Sequence, residues 1–254
     1  MFYDNFTEDQ ICGIFSLWHF VAIFVFFAAA IIAIYFSRKL NEKQTKIIMW
    51  TIAILVTAME IIKIAIRLYK HEGGDAWIPL YYCSLFIYAI WLSICKNKYL
   101  KRTGQCFMVL GGIAASICFV IYPSTSLMLY PIWHPASLHS LFYHWLMLYA
   151  GLLTLIKGLY RPQLKDFVYY VIFTTFFTII AVIVNSYLGT NLMFMGNPFG
   201  LAFLDAIFEF SKPLYMLLVY LAQCVVLYFA TYGVYALIKF LIDRRRMKKL
   251  ERLI

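Results

Sequence analysis

Apolar runs of about 20 residues, the length that crosses a bilayer core, alternate along this chain with short polar connections. The pattern predicts seven helical spans, at about 15–36, 47–69, 78–95, 104–122, 138–157, 166–188 and 214–241. No repeat and no low-complexity stretch interrupts it. The expected fold is all-α: a polytopic membrane bundle of seven transmembrane helices forming a single domain over residues 1–254.

The polar connections carry the orientation. Arg38, Lys39, Lys43 and Lys46 lie between the first two spans, and Lys96, Lys98, Lys101 and Arg102 between the third and fourth. Lys157, Arg161 and Lys165 follow the fifth. The tail "DRRRMKKLERLI" adds Arg244, Arg245, Arg246, Lys248, Lys249 and Arg252. The N-terminal segment and the connection after the fourth span have no Lys or Arg, and the connection after the sixth has only Lys212. Positive charge marks cytoplasmic loops, so the N-terminus is expected outside and the C-terminus in the cytoplasm. The opening "MFYDNFTEDQ" bears acids and no base, the reverse of a signal-peptide n-region, so the first span is expected to act as its own insertion signal.

Composition agrees. The chain is 64% hydrophobic and 13% charged, with 23 Phe and 20 Tyr, too apolar for a soluble domain. A net charge of +10 could suggest nucleic acid, but the bases sit at helix ends and in the tail, so no nucleic-acid partner is expected. The tail is expected to touch anionic inner-leaflet lipid. Six cysteines without CxxC or CxxH spacing give neither a zinc site nor a disulfide framework.

With the orientation set, the polar side chains inside the spans gather in their outer halves. Glu60, Lys63 and Arg67 share one face late in the second span. Cys83 and Ser84 fall early in the third, in "PLYYCSLFIYAIWLSIC". His139 and His144 open the fifth, Asn185 ends the sixth, and Asn191 follows it. Asp205 and Glu209 precede the seventh, and His19 is near the outer end of the first. A polar group in hydrocarbon is costly unless it pairs or faces a wet cavity, so one cavity opening to the outer leaflet would collect them.

Each group has a plain reading beside the functional one. Glu60 and Lys63 suit either a buried ion pair or a substrate contact, and Lys63 with Arg67 could hold a lipid phosphate. Arg67 could equally snorkel. His139 and His144 project about 140° apart, which from a straight helix puts only one of them, His144, into a small cavity and leaves His139 at the rim. Cys83 is either packing or a nucleophile activated by a histidine, and Cys12 and Cys118 make a disulfide a rival outcome. The segment "LGTNLMFMGNPFG", residues 188–200, reads as an apolar, turn-rich stretch that dips into the bundle or roofs it, with Asn191 and free N–H groups available to an oxyanion.

The motifs "IPLYYC", "LHSLFYHWLMLY" and "VNSYLGTNLMFM" resemble those of the bacterial YwaF-like integral membrane proteins, distantly related to the eukaryotic transmembrane protein 164. The resemblance runs from the second span to the seventh and implies a multi-pass protein of the bacterial cell membrane. It also implies phospholipid acyl transfer by a Cys–His pair through an acyl-enzyme. His144 and His139 match the two histidines of the fifth span, and Cys83 matches the bacterial "P-L-x-x-C" pattern. The eukaryotic thiol falls directly after the proline, where this chain has Leu80, and on a helix positions 80 and 83 share a face.

The expectation is therefore an acyltransferase that takes membrane phospholipid as donor or acceptor. Cys83 is the nucleophile and His144 the base. Asn191, Asn185, Lys63, Arg67, Glu60 and His139 bind substrate or oxyanion, and no metal or cofactor is needed. The alternative is a binding protein or transporter for a lipid or small polar ligand that uses the same cavity. A retinal protein is excluded, because Lys239 near the cytoplasmic end is the last span's lysine.

Overall fold

The computed structural model describes residues 6–7, 9–71, 78–123, 126–198 and 202–251. Arg252 of the tail and residues 199–200 of the turn-rich segment lie outside them. Among the described residues the chain is helical with no strand. The elements are α1 (Leu17–Ser37), α2 (Glu42–Tyr69), α3 (Leu85–Ile94), α4 (Lys98–Ile121), α5 (Pro135–Ile156), α6 (Phe167–Leu188), α7 (Ala202–Phe210), α8 (Lys212–Leu221) and α9 (Leu227–Glu251). Six helical stretches are long and apolar enough to cross a membrane, the last being continuous through α8 and α9.

Caps, rather than apolar content, set the helix starts. The Asn41 side chain accepts the Gln44 N–H at 2.8 Å and Gln44 Oε1 accepts the Asn41 N–H at 2.9 Å, so α2 begins at Glu42 instead of about 47. Asn97 accepts the amides of Tyr99 and Leu100, which starts α4 at Lys98 instead of about 104. A count of apolar residues stops at the first lysine and misses both.

The third span departs most from expectation. Only residues 85–94 are helical. Pro79 has no N–H to give, and the Leu80 N–H bonds back to Ile78 O at 2.9 Å, so the chain turns through 78–84 before the helix starts. Positions 80 and 83 therefore do not share a helical face. Two π-helical turns also interrupt regular geometry, Phe107–Gly112 within α4 and Ala222–Val226 between α8 and α9.

The centre of the bundle is α4 and α5, whose apolar windows are 72% and 56% buried, against 22% or 28% for the other long helices. Close approach depends on glycine. A Cβ on Gly104 would strike the Ala89 carbonyl of α3, and one on Gly151 would lie 2.9 Å from Met108 O. The outer ring turns Phe24, Ile31 and Ile172 outward, all more than 60% exposed.

Cross-links show which helix ends lie together. His19 at the start of α1 uses both ring nitrogens, accepting from the Phe15 N–H at 2.9 Å and donating to Val120 O at 2.9 Å near the end of α4. At the opposite end, Ser37 bonds Tyr149 at 2.7 Å and Lys157 donates to Arg38 O at 3.2 Å. The fully buried Asp166 there takes both nitrogens of a fork from Arg102, at 2.6 and 2.9 Å, and the Tyr160 hydroxyl at 2.7 Å. The basic connections and this knot share one end, and the polar side chains within the helices gather at the other.

Residues 189–198 dip into that other end. Asn185 holds the segment with three bonds, donating to Leu192 O at 3.0 Å and accepting from Thr190 Oγ1 at 2.7 Å and the Leu192 N–H at 2.8 Å. Asn191 does the same locally, donating to Asn197 O and accepting the N–H groups of Gly196 and Asn197, each at 2.9 Å. Leu192 and Met193 are fully buried. Met193 and Phe194 both sit at positive φ, 53° and 57°. That strained pair is pinned by Gln223 donating to Met193 O at 2.9 Å and Tyr215 donating to Phe194 O at 2.7 Å.

Candidate functional site

At the end where α1, α3 and α5 begin lies a cavity of about 610 Å³. Its wall takes Glu60, Lys63 and Arg67 from α2, Tyr81 to Ser84 from the turn before α3, and Cys118, Phe119 and Tyr122 from the end of α4. From α5 come His139, Ser140, Tyr143 and His144, and Phe194 of the dipping segment closes one side. Eight side chains singled out from the sequence thus meet in one place: Glu60, Lys63, Arg67, Cys83, Ser84, Cys118, His139 and His144.

The two histidines do not divide as their angular separation suggested. Both line the cavity, because it wraps around the N-terminal turns of α5 rather than facing one stripe of it. His144 is the more fixed. Its Nδ1–H donates to Ser140 O at 2.7 Å, and its ring stacks on Phe119 at 3.7 Å between centroids and 8° between planes. A neutral imidazole with its proton on Nδ1 keeps Nε2 as an acceptor. The His139 ring lies parallel to Tyr143, 6.2 Å away.

On α2, Glu60 and Lys63 form an ion pair one turn apart, with Glu60 5% exposed and the Lys63 side chain partly so. The pair cancels most of its own charge and leaves Arg67, one turn further along, as the next cation of the wall. All six cysteines are free thiols, so the Cys83 disulfide weighed against the nucleophile does not form here. Cys83 and Cys118 line the same cavity, whereas Cys12 does not.

The thiol sits at the mouth of α3. Among the described residues, the N–H groups of Tyr82, Cys83 and Ser84 donate to no backbone carbonyl, the usual condition of a helix's first turn, and those of Cys83 and Ser84 turn to the Cys83 sulfur. Across the cavity the Tyr143 hydroxyl donates to Cys83 O at 3.3 Å, and that carbonyl also accepts the Phe86 N–H at 3.1 Å. Sequence reasoning did not single out Tyr143. The signal it left is its place beside His144 in "FYHWLML", which reads as packing until its partner is known.

Asn185 and Asn191 are placed elsewhere. Neither lines this cavity, and their amides are spent on the dipping segment. Asn185 borders a smaller cavity, about 310 Å³, on the other side of that segment, with Lys212 at its rim. Asp205 and Glu209 of α7 border neither. No cluster of three metal-ligating side chains occurs among the described residues.

The model of the TMEM164 family matches residues 14–235, which includes every element that lines the larger cavity. No curated protein and no solved structure matches the chain.

Proposed function

We propose, for a chain that belongs to the TMEM164 family of membrane proteins, that the larger cavity carries out phospholipid acyl transfer through an acyl-enzyme on Cys83. The observation that carries this reading is the meeting in one cavity of a thiol, an imidazole fixed by its Nδ1 bond, and two cations.

In the first half-reaction Cys83 Sγ attacks the ester carbonyl carbon of a phospholipid while His144 Nε2 takes the thiol proton. The oxyanion is held by the N–H groups of Cys83 and Ser84, which face the thiol and take the role expected of Asn191. Collapse breaks the ester C–O bond, His144 returns the proton to the leaving alkoxide, and a lysolipid departs. In the second half a lysolipid hydroxyl attacks the thioester, His144 takes that proton, and it passes to the departing thiolate. Lys63 and Arg67 hold the headgroup phosphate throughout, with Glu60 keeping Lys63 in place. His139 borders the same headgroup region.

The topology we propose has seven crossings, the third made by the turn 78–84 together with α3, with the N-terminus outside and the basic end in the cytoplasm. The cavity then opens toward the outer leaflet. Intact-mass measurement of protein purified from membranes tests the chemistry. A species heavier by one fatty acyl chain, lost with hydroxylamine and absent in Cys83→Ala, is the expected result. Protein that carries lipid non-covalently and never gains that mass would support a binding or transport protein instead.

A further inference from the structure

Cys83 and His144 stand on different elements, and a reaction between them needs those elements held in one register. The turn that carries Cys83 is poorly tethered. The N–H groups of Tyr82, Cys83 and Ser84 reach no backbone carbonyl, and below them the helix contributes the Phe86 and Ile87 N–H groups, which donate to Cys83 O and Ser84 O, each at 3.1 Å. The bond that crosses to α5 comes from Tyr143, whose hydroxyl reaches Cys83 O. At 3.3 Å it is long for a hydroxyl on a carbonyl.

The phenol cannot easily swing away. Tyr143 is 4% exposed, lies parallel to His139, stands edge-on to Phe86 at 6.0 Å and edge-on to His144 at 5.6 Å. It immediately precedes His144 on α5. Any shift of α5 that moves the imidazole therefore moves the phenol and, through its hydrogen bond, the carbonyl of the thiol-bearing residue. The neighbouring Tyr82 has a different task. Its hydroxyl bonds that of Tyr170 in the core, in a space open because residue 111 is glycine; a Cβ there would lie 2.7 Å from the Tyr82 oxygen. Tyr82 fastens the turn to the bundle, and Tyr143 fastens it to the base.

We infer that Tyr143 is a positioning residue for acyl transfer: its hydroxyl fixes the Cys83 turn on the helix that bears His144, and so sets the approach of thiol to imidazole. This deepens the acyl-transfer reading and rests on it. Because the hydroxyl acts on a backbone carbonyl, its loss should change the rate of the chemical step rather than the hold on lipid.

The test uses the full chain in detergent, mixed with vesicles of phosphatidylethanolamine and phosphatidylglycerol, with acylation of Cys83 followed by intact mass. Tyr143→Phe keeps the ring and its packing. It is expected to lower the maximal acylation rate about tenfold or more, while the half-saturating lipid concentration stays within about twofold. The melting temperature is expected to stay at the wild-type value. Replacing Tyr143 with 4-aminophenylalanine restores a donor at the same place and is expected to recover the rate; 4-methoxyphenylalanine is not. This pair also decides the matter if Tyr143→Phe folds poorly.

An unchanged acylation rate in Tyr143→Phe would overturn the inference while leaving the acyl-transfer reading intact. A raised half-saturating concentration with an unchanged maximal rate would also overturn it, since the phenol would then be holding lipid. A wild-type protein that is never acylated removes the reading itself, and the role of Tyr143 with it.

Discussion

Glu60 and Arg67 share a face of α2 but not an environment. Glu60 is buried and paired with Lys63, so Glu60→Ala leaves a cation in a low-dielectric wall without its carboxylate. Arg67 lies about two turns nearer the helix end, where its head can reach the headgroup layer. Thermal unfolding in detergent should show the larger loss of melting temperature for Glu60→Ala. Arg67→Ala should differ from wild type chiefly in how much added phospholipid raises the melting temperature. Equal losses with no lipid-dependent difference would make both charges structural. Asn185 gives a second case. Its three bonds to the dipping segment predict that Asn185→Ala costs about 2–3 kcal/mol of stability and leaves Cys83 acylation in place, whereas a substrate-binding amide would lower acylation first. That the charges of α2 and the histidines of α5 meet at one cavity was legible in the sequence, because each is expensive in an apolar span; the thiol is not, and only its place on the same wall separates Cys83 from a packing residue. The task of an amide was not, since Asn191 can serve an oxyanion or its own loop with the same groups. Tyr143 was hidden for another reason: it is one of 20 tyrosines, and only its partner distinguishes it.

Six long apolar helices were legible in broad position, because apolar length alone announces a span, while the third of the seven expected spans is a helix of ten residues. Their ends and defects were not. The Asn41 and Asn97 caps extend α2 and α4 into charged sequence, and Pro79 removes the first third of the expected third helix. The π turn of α4 contains "FMVLGG", which has no signature that separates it from ordinary helix. What the short α3 lacks in length it recovers in contact with α4. Gly104 is the point of closest approach: a Cβ there would press on the Ala89 carbonyl and lie 2.5 Å from Ser93 N, both backbone atoms that cannot give way. Gly104→Ala should therefore lower stability by about 1–3 kcal/mol in spite of the better helix propensity of alanine. A melting temperature equal to or above wild type would show that the helices separate freely there.

On the scale of the whole molecule, the polar cavity and the basic connections occupy opposite ends of one bundle. In the proposed topology a cysteine placed at the chain end, in a background without Cys83 and Cys118, stays unlabelled by an impermeant maleimide in intact cells and labels after permeabilisation. Labelling in intact cells would invert the molecule and turn the cavity toward the cytoplasm. The brevity of α3 bears on how this arrangement is made. Ten helical residues span about 15 Å, half of a hydrocarbon core. A nascent segment leaves the insertion machinery for lipid on the strength of its own apolar length, and the non-helical turn 78–84, whose Tyr82, Cys83 and Ser84 N–H groups reach no backbone carbonyl, adds a penalty rather than a contribution. This segment gains a stable seat only when α4 has emerged and Gly104 can close beneath it. The unit that partitions is thus the hairpin of 78–121, not either limb. A chain arrested before Lys98 is expected to keep its first two spans in the bilayer, with the third still at the interface, waiting for its second half to be translated.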